Sequence, residues 1–146
     1  MRFAYPIELR VMTPEEGGGF LVEFPDWDSA VTDGAHVAEA LANARDCLEE
    51  MIADRIRRRE LIPEPSPAGN RPMVEPEAGL ALQAALWLAL KEQNTTLGEL
   101  AQRLGDLTEE QVHQLLNPRR RARPELIHRA LAALGKRVVV ELEDAA

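Results

Sequence analysis

Five of the ten prolines in this 146-residue chain are crowded between Leu61 and Pro76. Pro63, Pro65, Pro67, Pro72 and Pro76 each remove a backbone donor and fix φ, so no helix can run through the segment. It reads as an extended, semi-rigid connector, with Met73 and Val74 placed to add a brief strand to what precedes it. The connector predicts two domains, residues 1–62 and 79–146, joined by a linker over 63–78.

The first part begins with strand periodicity. Phe3, Tyr5, Ile7, Leu9 and Val11 alternate with Ala4, Pro6, Glu8, Arg10 and Met12. Pro6 cannot donate to a ladder, which places this strand at an edge or puts a bulge at that position. Pro14 to Gly19 supplies polar and glycine turn residues. Phe20, Val22 and Phe24 then form a second strand, a hairpin partner of the first. After Pro25-Asp26-Trp27-Asp28, residues Ser29 to Thr32 make a short third strand closed by Asp33-Gly34. From Val37 the period becomes helical. Val37, Leu41, Ala44, Leu48, Met51 and Ile56 form the apolar stripe, opposite Glu39, Arg45, Asp46, Glu49 and Asp54. His36 stands at the cap position, where histidine is a weak choice. A sheet of three or four strands covered by one helix is the expected first domain.

The second part is helical. Leu80 to Glu92 is an apolar helix with Leu82, Leu86, Trp87 and Leu90 as its core face. Thr96 to Leu116 then divides into two short helices. Thr96 with Glu99, and Thr108 with Gln111, stand at capping-box spacing. Leu97, Leu100, Ala101 and Leu104 share one face, as do Val112, Leu115 and Leu116. Gly105 falls where the chain has to turn sharply. Two capped helices joined by such a turn form a helix-turn-helix unit, whose second helix can enter a DNA major groove. Pro124 opens a further helix that Gly135 closes. Lys136 to Leu142 ends the chain as an apolar strand around Val138, Val139 and Val140. Pairing with the same strand of a second subunit, or return to its own domain, would satisfy its hydrogen bonds. The whole is therefore an α+β protein: a sheet-and-helix domain followed by an all-α domain with a terminal strand.

Charge separates the two parts. Residues 1–62 hold 7 basic and 13 acidic side chains, whereas residues 77–137 hold 9 basic and 7 acidic. An acidic front half and a mildly basic back half suggest different partners. The longest apolar run, Leu80 to Leu90, contains Gln83 and is too short for a bilayer. No signal peptide is visible, and the single cysteine, Cys47, fits a reducing cytoplasm. No catalytic constellation emerges either. His36, His113 and His128 lie in different elements. Gly17-Gly18-Gly19 precedes a strand, not the helix of a phosphate loop. Asp26 and Asp28 read as a solvated turn, so no enzyme, cofactor or metal is expected.

The basic residues carry the functional signal. Arg119, Arg120, Arg121 and Arg123 follow the second short helix directly after Asn117-Pro118. Such a loop can run beside a DNA backbone, where arginine contacts phosphate. Thr108, Gln111, His113 and Gln114 on the second helix, with Asn117 just after it, complete the expected DNA-binding set, since Gln and His can read base edges. Glu109 and Glu110 suit the helix dipole but oppose phosphate.

Several stretches in order resemble the HicB antitoxin family carrying a C-terminal helix-turn-helix. They are MRFAYPIEL, GGGFLVEFPD, the DG before VAEALANARDCLEEMI, ELIPEPSP, and ELAQRLG with VHQLLNPRRRARPELIHRALAALGK. The resemblance implies a first domain like a truncated ribonuclease-H fold that has lost catalysis and covers a HicA toxin, a small protein that cleaves messenger RNA. It implies a second domain that binds the operon's own promoter as a homodimer or higher oligomer. On this reading the toxin surface involves Phe24, Asp26, Trp27, Asp28 and Ala30, together with the acidic face of the long helix, and an exposed Trp27 serves as anchor. Val138, Val139 and Val140 are the dimerisation strand. The sequence departs from the family in three places: Trp27-Asp28-Ser29-Ala30 replaces a Leu-Pro-Gly-Cys-like run, His36 replaces a Thr-like cap, and Leu97 stands where related proteins carry a phosphate-binding Gln. The rival readings are a solitary helix-turn-helix regulator without a toxin, and an active ribonuclease-H-type nuclease. The second would need several converging carboxylates, and the first strand offers only Glu8.

Overall fold

The opening strand splits at Ile7. Tyr5–Pro6 form β1 and Glu8–Val11 form β2. Phe20–Glu23 and Val31–Gly34 form β3 and β4, and Met73–Val74 form β5. The split resolves the constraint that Pro6 imposes. β1 pairs antiparallel with β5, while β2 turns into a separate antiparallel sheet of order β2-β3-β4. Between them the Ile7 amide donates to the Pro72 carbonyl at 3.0 Å. The computed structural model describes residues 1–28 and 30–145, so Ser29, the expected start of the third strand, lies outside the described residues. The chain forms two units, Met1–Ala81 and the residues from Leu82 onward.

The β2–β3 hairpin turns through a 3-10 helix at Pro14–Glu16, where Thr13 and Glu16 make a reciprocal capping box. Asp33 and Gly34 do not close a turn. They are the end of β4, in register with Leu21 and Phe20. The long helix α1, Val37–Arg58, packs across the sheet here. A Cβ on Gly34 would lie 2.3 Å from the Ala40 nitrogen, so only glycine lets the helix come this close. His36 does cap α1, its Nδ1 accepting from the Glu39 amide at 3.2 Å. The buried stripe is Ala40, Ala44, Leu48, Ile52 and Ile56. Ala44, Leu48 and Ile56 are as expected, but Ala40 and Ile52 stand in place of Leu41 and Met51, which are half-buried, and Val37 is exposed. The contact with Gly34 requires the small Ala40 rather than Leu41 to face the sheet.

The proline-rich segment is extended, as its composition requires, but it does not hang free. Tyr5 Oη donates to the Pro63 carbonyl at 2.7 Å. The Ser66 amide donates to Asp26 Oδ2 at 2.9 Å, and β5 completes the seam. The segment is thus a wall of the first unit.

α2 (Ala78–Glu92) begins at the end of the first unit, and its part in the second, from Leu82 on, has Leu86, Trp87 and Leu90 buried. Leu82 is only half-buried, and its place in the core is taken by Gln83. α3 spans Leu97–Leu104, α4 spans Glu109–Leu115 and α5 spans Pro124–Ala133. Leu100, Val112, Leu116, Ile127 and Leu131 close the core around them. Residues 136–145 join no ladder among the described residues. A lone strand has nothing to pair with, and Val139, Val140 and Leu142 are 72%, 81% and 94% exposed. Val138 is half-buried. Among the described residues no helix is long and apolar enough to cross a membrane.

Candidate functional site

The turn between α3 and α4 is held at three points. Gly105 adopts the left-handed conformation (φ +81°) and returns its amide to Ala101, ending α3. Asp106 pairs with Arg129 on α5 at 2.6 Å, and this contact holds its carboxyl below the ordinary carboxylate range. Thr108 then starts α4, its Oγ1 accepting from the Gln111 amide at 3.1 Å while Gln111 Oε1 accepts from the Thr108 amide at 2.8 Å. Thr96 caps α3 by one such bond, its Oγ1 accepting from the Glu99 amide at 3.1 Å, while the Glu99 carboxylate accepts from the Thr96 hydroxyl at 3.2 Å. Both start signals in the sequence operate, and α4 is thereby set at a fixed angle to α3.

This geometry distributes the expected DNA-binding residues unevenly. Thr108 and Gln111 are engaged in the cap, which occupies the Gln111 carbonyl oxygen. Gln114 is half-buried and donates to Glu110 Oε1 at 2.8 Å. His113 is exposed. Asn117 accepts the Arg119 amide on its Oδ1 at 3.0 Å, forming a tight turn into the arginine loop. Arg119, Arg120, Arg121 and Arg123 are all exposed on that loop. Only Arg123 meets a carboxylate, with its Nε 3.7 Å from Glu125. The other three make no ion pair among the described residues, so their charge is available to a phosphate. Acidic groups stand near by. A Cβ on Gly98 would lie 3.2 Å from Glu109 Oε2, so that carboxylate leans over the first turn of α3.

In the first unit the expected partner loop is mostly core. Phe24 and Trp27 are buried. The Trp27 ring packs 5.4 Å from Tyr5 at 57°, and the Arg55 guanidinium lies 5.7 Å above it. Trp27 is therefore an internal post, not an exposed anchor, held between Tyr5 of β1 and Arg55 of α1. Its Nε1 has no hydrogen-bond partner among the described residues. Asp26 is half-buried and serves Ser66, Ala30 is half-buried and its carbonyl accepts from the Phe24 amide, and Asp28 is exposed.

Residues 4–75 match the family described as HicB_like antitoxin of bacterial toxin-antitoxin system. Antitoxin HicB of Escherichia coli is 34% identical over 133 residues, covering 90% of this chain and 94% of its own length. The chain belongs to the HicB antitoxin family. Antitoxin HicB of Pseudomonas fluorescens is 31% identical over 154 residues and covers 99% of this chain and 100% of its own. A chain titled as a toxin-antitoxin complex from Streptococcus pneumoniae matches at 32% identity and a TM-score of 0.40, covering 46% of each chain. The family match extends through the proline segment and ends just after β5, so the seam between β1 and β5 falls within it.

In this HicB-family chain the sheet has one face under α1 and one face open within its unit. Register places Glu8, Glu23 and Val31 in one row of the open face, and Arg10, Leu21 and Asp33 in the next. Glu8 and Glu23 stand directly opposite each other, a like-charge pairing that costs stability unless something offsets it. Arg71 lies 3.8 Å from Glu8, and Arg10 is taken up by Glu16 at 2.9 Å. Glu8, Glu23, Asp33 and Val31 are exposed. The sequence shows each of these residues, but only the register brings them to one surface. Gln83 was equally hidden, because in one dimension it is merely a gap in an apolar run.

Proposed function

We propose that this HicB-family chain neutralises a HicA-type mRNA-cleaving toxin through its first unit and represses its own operon through its second. The observation that carries this reading is the 34% identity to Antitoxin HicB across 90% of the chain. The acidic open face of the sheet supports the first half, since an RNA-cleaving partner is basic and complementary charge speeds and orients docking. In the loop that joins β3 to β4, Pro25 and Asp28 are exposed, and Asp26 and Ala30 are half-buried. Phe24 and Trp27 contribute by holding the loop from inside. The acidic side of α1, with Asp46 and Glu50 exposed, is a second negative surface, on the opposite side of the sheet from the open face.

The second half rests on the capped α3–α4 pair and the exposed arginines after it. On this reading α4 approaches the groove through His113, and Arg119 to Arg121 run along phosphate. A homodimer or higher oligomer, joined through Val138 to Val140, presents two such units to an operator. The chain works in the cytoplasm, where the toxin's messenger RNA targets are.

The deciding experiment expresses the neighbouring small reading frame alone and together with the full chain. Growth arrest by the neighbour and rescue by the chain support the antitoxin reading. A harmless neighbour, or arrest without rescue, overturns it and leaves a solitary DNA-binding regulator as the better account.

A further inference from the structure

Gln83 is 2% exposed in the middle of the most apolar helix of the protein. A buried amide there costs free energy that leucine would not, unless its hydrogen bonds are made. They are made to one place. Nε2 donates to the Leu115 carbonyl at 3.2 Å and to the Asn117 carbonyl at 2.9 Å. These are the last carbonyl of α4 and the first carbonyl of the arginine loop.

The end of α4 needs such help. It has only seven residues, and its C-cap, Leu116, stays at φ −93° without the left-handed glycine that closes many helices. A helix this short is marginal without outside support. The loop then hangs on the residue that Gln83 holds. Asn117 Oδ1 accepts the Arg119 amide, and the Asn117 carbonyl also accepts the Arg120 amide at 3.1 Å. One side-chain amide thus fixes the pivot from which both arginines extend.

We propose that Gln83 is a positioning residue for phosphate binding, holding Asn117 so that Arg119 and Arg120 meet DNA as a preset pair. This rests on the reading of the second unit as DNA-binding. Gln83 is buried and acts through Asn117. Its effect is to remove the ordering cost that a free loop would incur on binding.

The test uses the full chain with Gln83→Met, which keeps length and removes both donors, and Gln83→Glu, which keeps shape. Hydrogen exchange is followed at residues 117–121, and binding is titrated on a duplex from upstream of the chain's own reading frame. Exchange at 117–121 should rise while α3 and α5 keep their protection. DNA affinity should fall about tenfold for the loss of two hydrogen bonds. The slope of log affinity against log salt should flatten by about one to two contacts. In a background of Arg119→Gln with Arg120→Gln, adding Gln83→Met should cost less than about twofold. Strictly additive losses, or unchanged exchange at 117–121, overturn the proposal. If the unaltered chain binds no such duplex, the DNA reading fails separately, and the exchange data alone then decide whether Gln83 sets the loop.

Discussion

Gly34 and Ala40 touch backbone to backbone. A Cβ added to Gly34 would sit 2.3 Å from the Ala40 nitrogen and 2.6 Å from its Cα. The close approach locks the first turn of α1 against the end of β4. Neither atom belongs to a flexible side chain, so no rotamer change can relieve an intrusion.

Gly34→Ala should therefore destabilise the first unit by about 2–3 kcal/mol, the cost of overpacking a rigid contact. Urea unfolding followed by Trp27 emission, in a Trp87→Phe background, reads this unit alone. An unchanged midpoint would mean that α1 can slide away from β4 without loss.

Tyr5 is held neutral. Burial first, then the nearby Asp26 and Glu64 carboxylates, push its phenol well above the ordinary value of 10.0. The unfolded chain ionises at its normal pKa and the folded one does not, so stability is full below pH 10 and falls above it. Tyr5→Phe should flatten this alkaline decline. It should also lower stability at neutral pH by about 1 kcal/mol, through loss of the hydrogen bond to Pro63. An equally steep decline in Tyr5→Phe would assign it to another group.

At the other end of the pH scale stands Glu16, whose carboxyl is drawn from 4.5 to about 2. The cause is first its hydrogen bond to Arg10 and then those from Thr13. A depressed carboxylate stabilises the fold above its unfolded pKa and loses that contribution as pH falls from 4.5 towards 2. The unaltered chain should thus exceed Glu16→Gln in stability at pH 6, and the two should converge near pH 2. Denaturation curves at a series of pH values give the comparison, and a constant gap would contradict it.

Changing Arg119, Arg120 and Arg121 together to Gln should weaken DNA binding about equally on every sequence tested. The salt slope should fall by about two to three. Gel-shift titrations at two salt concentrations measure both. Unchanged affinity would remove the loop from the DNA-binding face.

Local signals proved readable where local chemistry decides the outcome. The caps at Thr96 and Thr108, the turn at Gly105 and the interruption at Pro6 are each set by neighbours in sequence, and the structure has them. The helical stripe of α1 was legible to within one position. The error came from weighing Leu41 above Ala40, when a contact with Gly34 demanded the smaller side chain. Trp27 misled for a related reason. Flanked by two aspartates it looks exposed, yet it is buried, against Tyr5 of β1 and Arg55 of α1, both more than twenty residues away along the chain. The open acidic face of the sheet and the buried amide of Gln83 depend on register and on a helix elsewhere, which no one-dimensional period encodes.

The proline segment carries a consequence for synthesis. Tyr5 and the Pro63 carbonyl it holds are 58 residues apart, and the β1–β5 pairing lies farther still along the chain. Contacts of such long separation form late. As the chain leaves the ribosome, its first strand waits for nearly half the protein to be made. The first unit thus finishes folding only after its proline wall has emerged, and a fragment cut at residue 62 would never finish at all.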